Sequence, residues 1–303
     1  MQNWEKLGLV FQNQITGYTH AALPIVIPSE KSGIFNVIFS ARNNSNQSVP
    51  FKFSFDLARR RILNVSDVPL LIPGNAGTFD SDGVMPTCLI AEGGILHMFY
   101  IGWNRASDVP FRNSLGLAIS KDQGQSFHKV YEGPILDRSI YDPCFVASCD
   151  ILKEENDFKM WYLSAIKWEK NGDHWKHFYH IKTAVSTNLR TWERTGNVAI
   201  DFSNASEYAI STPRVLRSGS TYRMWYSHRG SHSPNYQIGY AESSNGATWD
   251  RKDNLINLPL GQDWDSEMTC YPFLFHYDND LYMLYNGNGY GKSGIGLAIC
   301  KDE

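Results

Sequence analysis

Ser211-Thr212-Pro213-Arg214-Val215, Tyr222-Arg223-Met224-Trp225-Tyr226, Ile238-Gly239-Tyr240-Ala241-Glu242 and Thr248-Trp249-Asp250-Arg251 read as four short strands in succession. Ser218-Gly219-Ser220 separates the first pair and Ser244-Asn245-Gly246 the last. Alternating apolar and polar residues bounded by Gly, Ser and Asn are the mark of a half-buried strand followed by a tight turn.

The same run recurs along the chain. Its proline-centred opening appears as Ala22-Leu23-Pro24-Ile25-Val26, Val84-Met85-Pro86-Thr87-Cys88, Tyr141-Asp142-Pro143-Cys144-Phe145 and Cys270-Tyr271-Pro272-Phe273-Leu274. The aromatic second strand appears as Phe35–Phe39, Leu96–Tyr100, Phe158–Tyr162 and Leu281–Tyr285. Third strands are expected at Gly116–Ser120, Thr183–Ser186 and Gly296–Cys300. A repeat of roughly 60 residues with four strands and no convincing helix predicts an all-β, five-bladed β-propeller with four antiparallel strands per blade. A β-sandwich would leave the fivefold period unexplained. The last copy stops at Cys300-Lys301-Asp302-Glu303, before its fourth strand. Asn3-Trp4-Glu5-Lys6-Leu7-Gly8-Leu9-Val10 resembles Thr191-Trp192-Glu193-Arg194-Thr195-Gly196-Asn197-Val198, so the N-terminal strand is expected to close the last blade. Residues 1–303 are read as one propeller domain.

Composition agrees with this reading. The 303 residues are 14% aromatic and only 19% charged. The net charge is −3 with no basic block, so no nucleic-acid partner is expected. No apolar run is long enough for a membrane helix, and Met1-Gln2-Asn3-Trp4-Glu5-Lys6 lacks the apolar core of a secretory signal, which predicts a cytoplasmic protein with no membrane insertion. Five cysteines with no CxxC pair suit reduced thiols, with Cys88, Cys144 and Cys270 packing as small apolar groups.

In such a ring, the starts of first strands and the ends of second strands meet on one face. His20, Asp80, Asp82, Asp142, Glu207 and Glu267 belong to the first set; Arg42, Trp103, Trp168, His228, Arg229 and Asn286 belong to the second. Carboxylates, aromatic platforms and amides around an axial mouth suit a sugar. Arg42, Arg214, Lys167, His228 and Arg229 are candidates for a cationic lining that meets a phosphate or a carboxylate, or else solvated charges. Trp161 and Trp225 are expected in the core. An Asp at a strand start also commonly caps a turn, so each acid has a purely structural reading as well.

The pattern of Tyr141-Asp142-Pro143 opening an inner strand, Met224-Trp225-Tyr226 in the next, and Ala241-Glu242-Ser243…Gly246…Trp249 in the hairpin resembles the five-bladed propellers of glycoside hydrolase families 43, 32 and 62 and the related family 130 mannoside phosphorylases. The resemblance implies a carbohydrate-active enzyme with three acids at inner-strand starts. Its first inner strand, His20-Ala21-Ala22-Leu23-Pro24, holds none; the implied set is Asp82, Asp142 and Glu267, a rotated version of the family arrangement. By that mapping Asp142 or Glu267 donates the proton, the other is the base, and Asp82 is the charged neighbour. Glycoside hydrolysis is the implied reaction. Phosphorolysis or glycosyl transfer with a sugar phosphate or nucleotide sugar, and a sugar-binding propeller without catalysis, stand as alternatives. Some of those propellers carry an axial calcium ion, for which this sequence identifies no ligands; otherwise no cofactor is implied.

Overall fold

The computed structural model describes residues 1–27 and 33–301; Asp302 and Glu303 of the last repeat lie outside them. Among the described residues the chain is all-β apart from one 3-10 turn at Asp253–Leu255 and one helical turn at Asn288–Gly291. Among the described residues, antiparallel pairings fall into five runs of four strands. Unit 1 comprises Tyr18–Ile27, Ile34–Asn43, Ser48–Asp56 and Arg61–Val65. Unit 2 comprises Gly83–Glu92, Ile95–Arg105, Phe111–Ser120 and His128–Lys129. Unit 3 comprises Phe145–Lys153, Phe158–Asn171, His174–Ser186 and Glu193–Ile200. Unit 4 comprises Glu207–Ser218, Thr221–Gly230, Gln237–Ser243 and Asp250–Arg251. Unit 5 comprises Cys270–Tyr277, Asp280–Asn286, Ile295–Cys300 and, from the other end of the chain, Glu5–Phe11. Single parallel bridges, Ser48 to Gly83 and Tyr179 to Ala209, join units 1 and 2 and units 3 and 4 into two eight-stranded sheets.

The first strands touch one another in cyclic order, and that of unit 5 returns to that of unit 1. Side chains between neighbouring sheets form the core. Trp161 and Trp225 are fully buried there, as expected. Each removes about 150–250 Å² from water, a gross gain of about 4–6 kcal/mol before chain entropy is counted. Their ring N–H groups donate outward, Trp161 to the Gly246 carbonyl of unit 4 at 2.9 Å and Trp225 to Gln2 Oε1 at 3.0 Å, so each stitches one sheet to its neighbour. All five cysteines are thiols outside any disulfide; four are buried, and burial pushes the thiols of Cys88, Cys149 and Cys270 well up, while Cys144 is partly exposed.

Several strands run further than the sequence suggested. Trp103 and Trp168, expected beyond strand ends, lie inside the second strands of units 2 and 3. The second and third strands of unit 3 form the longest hairpin, tipped by Asn171 to His174.

Candidate functional site

Three units share a buried bracket. In unit 2, Asp80 accepts from the Tyr100 hydroxyl at 3.1 Å and pairs with Lys129 Nζ at 2.6 Å. In unit 3, Asp142 accepts from Tyr162 at 3.1 Å and pairs with Arg194 at 2.8 Å, with Lys182 at 3.8 Å. In unit 5, Asp265 accepts from Tyr285 at 2.9 Å and pairs with Lys6 at 2.5 Å. In each case the acid precedes the tyrosine by 20 residues, and the cation comes from the fourth strand. Unit 4 splits the scheme: Glu207 binds Arg251 at 2.6 Å and His228 at 2.8 Å, while Tyr226 donates to Asp253 at 2.5 Å. The tyrosine needs room, and a glycine faces it across the sheet in units 2, 4 and 5 (Gly116, Gly239, Gly296). A Cβ on Gly116 would sit 2.2 Å from Tyr100. In unit 3 that place is taken by Lys182, which turns to Asp142.

All five first strands carry a β-bulge, and it falls at or beside the proline-centred stretch. Leu23, Thr212 and Tyr271 have φ of 54°, 51° and 55°, each immediately before a proline. Left-handed backbone at a non-glycine residue costs on the order of 1–3 kcal/mol and recurs at functional sites. Their N–H groups are held from the neighbouring strands: Leu23 donates to Asn286 Oδ1 at 2.9 Å, Thr212 to Ser148 Oγ at 2.9 Å, Tyr271 to Ser227 Oγ at 2.8 Å. Bulges re-aim side chains, and Leu23, Thr212 and Tyr271 all line one cavity of about 170 Å³ where the first strands converge.

That axial cavity continues on both sides. It shares Arg42, Met85, Phe111 and Asn113 with a cavity of about 310 Å³ that reaches Trp103, and His177 with one of about 300 Å³ that reaches Trp175, Tyr208 and Arg229. A groove therefore crosses the axis from units 1 and 2 to units 3 and 4. Among the described residues its lining holds no carboxylate. Arg229 donates to the hydroxyls of Tyr290 at 2.7 Å and Tyr179 at 3.4 Å, and its guanidinium lies 4.7 Å from the Tyr236 ring centre. Tyr179 and Tyr236 hydrogen-bond to each other. Burial, helped by Arg229, lowers His177 to about 4; burial, then Arg42 and Lys292, does the same to His20. Both imidazoles are thus neutral near pH 7. A larger cavity, about 610 Å³, lies elsewhere, between Val10–Thr16 and Ile62–Asp67, and brings no cluster of charged groups together.

Of the residues expected at the site, the structure places Arg42 on the axial cavity and Trp103 and Arg229 on its flanks. Trp168 packs against Phe111, Phe145 and His177 behind the wall. His20 neighbours Arg42. Asp80, Asp142 and Glu207 are buried in their brackets, and His228 is bound to Glu207. Arg214 pairs with Asp150 at 2.8 Å and stacks on Phe273, inside the ring of first strands. Asn286 is fully buried, holding Leu23 N–H and the carbonyls of Ala21 and Gly294. Lys167 pairs with Glu169. None of the three implied acids is among the groove's lining residues: Asp142 is enclosed, Asp82 bonds the Arg105 N–H at 2.9 Å, and Glu267 is exposed, its N–H donating to Asn288. Among the described residues no group of three His, Cys, Asp or Glu side chains could hold a metal ion, and no helix is long and apolar enough to cross a membrane.

No family profile matches the sequence. The uncharacterized protein Rv1502 of Mycobacterium tuberculosis is 34% identical over 305 residues, which cover 99% of both chains. The chain belongs to the Rv1502 family. Against the 1,2-beta-oligomannan phosphorylase of a Thermoanaerobacter species it is 28% identical over 152 residues, 46% of this chain and 45% of that protein. Among solved structures it resembles a thermostable family-43 glycoside hydrolase (TM-score 0.70, 18% identity, 95% and 91% of the two chains) and a structure from the GH130 family of mannoside phosphorylases (TM-score 0.71, 15% identity, 98% and 93%). The fold of the Rv1502 family is accordingly that of the propeller glycosidases its blade pattern resembles.

The groove of this Rv1502-family chain also uses residues that the sequence did not single out. Tyr179, Tyr208, Tyr236 and Tyr290 surround Arg229, and His177 joins the two halves of the groove. Tyr290 lies in Gly289-Tyr290-Gly291-Lys292-Ser293-Gly294, a stretch whose resemblance to a phosphate loop is superficial because no strand-to-helix setting accompanies it. The signal that could have found the brackets was the constant spacing from Asp80, Asp142 and Asp265 to a tyrosine.

Proposed function

We propose that this chain is a carbohydrate-active enzyme, built as a single five-bladed β-propeller, whose saccharide lies along the groove across the axis. Five four-stranded meanders with cyclically touching first strands support the propeller reading. The observation that carries the functional reading is the continuity of the groove. Trp103 at one end, Trp175 at the other, and Tyr, Asn, Ser and Arg side chains between them offer ring faces to sugar rings and donors to hydroxyls.

Cleavage of a glycosidic bond needs a proton donor at the leaving oxygen. Asp82 and Glu267 are our candidates. Asp82 stands beside the groove, its backbone bonded to Ser48 and Trp103, two lining residues; Glu267 bonds Asn288 at the start of the turn that presents Tyr290. Asp142 is assigned to its bracket instead. Hydrolysis by two carboxylates requires a second acid facing the first. Attack by phosphate requires only the donor, because the nucleophile is already an anion, and the acid-free lining supports this second reading; the partial likeness to an oligomannan phosphorylase agrees with it.

Turnover of a glycoside panel, with and without inorganic phosphate, tests the assignment. Loss of activity in both Asp82→Asn and Glu267→Gln is expected. Binding of a saccharide without turnover under either condition would refute the enzyme and leave a sugar-binding propeller.

A further inference from the structure

Charged side chains withdrawn from water are normally paired, because an uncompensated buried charge is costly. The groove holds three half-buried cations of one sign without such a partner. Arg42, Lys176 and Arg229 line it, and among the described residues none has a carboxylate within 4.0 Å, whereas the nearby Lys167, Lys182 and Arg105 all have one. Lys176 meets the Ser231 hydroxyl at 3.1 Å and lies over the rings of Tyr208 and Phe178, 4.2 and 4.9 Å from their centres. Arg229 is held by tyrosines alone, and its Nε is buried without any acceptor. Burial pushes the hydroxyls of Tyr179 and Tyr236 up, so neither supplies Arg229 with a negative charge. Such a surface lacks a negative charge, and the fold does not supply it.

We propose that the groove selects a saccharide that itself carries an anionic group, a carboxylate or a phosphate ester, and that Arg229 and Arg42 are the residues that select it. This rests on the carbohydrate reading above and adds the class of sugar. A planar guanidinium held in place by aromatic rings has already lost its side-chain freedom, so an arriving anion gains charge-assisted bonds without ordering its partner. Trp103 and Trp175 at the two ends remain free to stack the neutral remainder.

Calorimetric titration of the whole protein with matched sets for gluco, manno and galacto sugars (hexuronate, hexose phosphate and neutral hexose), and with inorganic phosphate alone, tests this at low and high salt. The anionic member of at least one set is expected to bind about tenfold or more tightly than its neutral counterpart. That preference should shrink with salt and largely disappear in Arg42→Met and Arg229→Met. The hexuronate and hexose phosphate arms tell the two anions apart. Should Arg229→Met fail to fold, Arg42→Met and the salt series still decide. Neutral hexoses binding as well as both anionic forms would overturn the inference and leave the carbohydrate reading standing. Inorganic phosphate binding beside a neutral hexose would also overturn it, since the anion would then be a co-substrate. Absence of any sugar binding, with or without phosphate binding, would sink both.

Discussion

Arg194 reaches across unit 3 to place a guanidinium nitrogen 2.8 Å from Asp142 Oδ2, and the carboxylate it meets is fully buried. An acid enclosed in this way, with Tyr162 and Lys182 on its other sides, fixes the approach to a first strand and is not open to a substrate. Asp142→Asn is expected to leave Arg194 and Lys182 with an uncompensated buried charge and to destabilise the fold by about 3–5 kcal/mol. Asp82→Asn, which loses an N–H bond and an exposed pair with Arg105 at 3.6 Å, should cost about 1 kcal/mol or less. Chemical denaturation of the two variants checks the contrast; equal losses would contradict the bracket.

Asn286 joins unit 5 to unit 1 through buried hydrogen bonds with Leu23 and Ala21 and makes a third, to Gly294, within unit 5. Replacing it by Ala strands the Leu23 N–H and two carbonyls, each at about 1–3 kcal/mol. We expect a large fall in unfolding midpoint, and a shift worth less than about 1 kcal/mol would show that water satisfies these groups at little cost.

Glu207 sets an acid limit. Burial alone would raise its pKa, but hydrogen bonds from His228 and Arg251 and the Ser203 N–H outweigh it and hold the carboxyl well below the usual range. A group depressed in the folded state binds fewer protons than it does unfolded, so its contribution is complete above the ordinary glutamate pKa and is lost as pH falls toward the folded one. Stability measured from pH 5 downward should therefore fall less steeply in Glu207→Gln, which should be weaker at neutral pH. Parallel curves for the two proteins would refute this.

His20 and His177 supply an NMR test. Both are lowered to about 4, burial being the first cause in each. Because the folded state holds them neutral, the unfolded chain binds more protons between about pH 4 and pH 6.5, and both work against stability as pH falls through that interval. Their ring signals should stay unshifted from pH 8 to about pH 5. Midpoints near 6.5 would mean that the imidazoles are solvated.

How much of this was legible beforehand follows from strand phase. Prolines 24, 86, 143, 213 and 272 marked the first strands, and the likeness of Asn3–Val10 to Thr191–Val198 anticipated the pairing of Glu5–Phe11 with Ile295–Cys300. Period two assigns alternate residues to opposite faces, and a bulge reverses the assignment beyond it. All five first strands are bulged near the groove, so the pattern found the strand ends that border it but not which side chains line it. Asp82 and Glu267 each follow a bracket acid by two positions, whereas in unit 3 the bracket acid itself drew attention. The tyrosines around Arg229 were hidden for another reason: a Tyr at a strand end has the same sequence signature whether its hydroxyl meets solvent, a carboxylate or a guanidinium.

Lys6 contributes the cation of the unit 5 bracket from a strand made at the opposite end of synthesis from Asp265. Glu5–Phe11 leaves the ribosome before Ile295–Cys300 is made, so its edge stays unsatisfied until that partner strand appears. A polypeptide truncated before Ile295 would keep that edge exposed, and an unpaired strand edge is open to pairing with another copy of the chain.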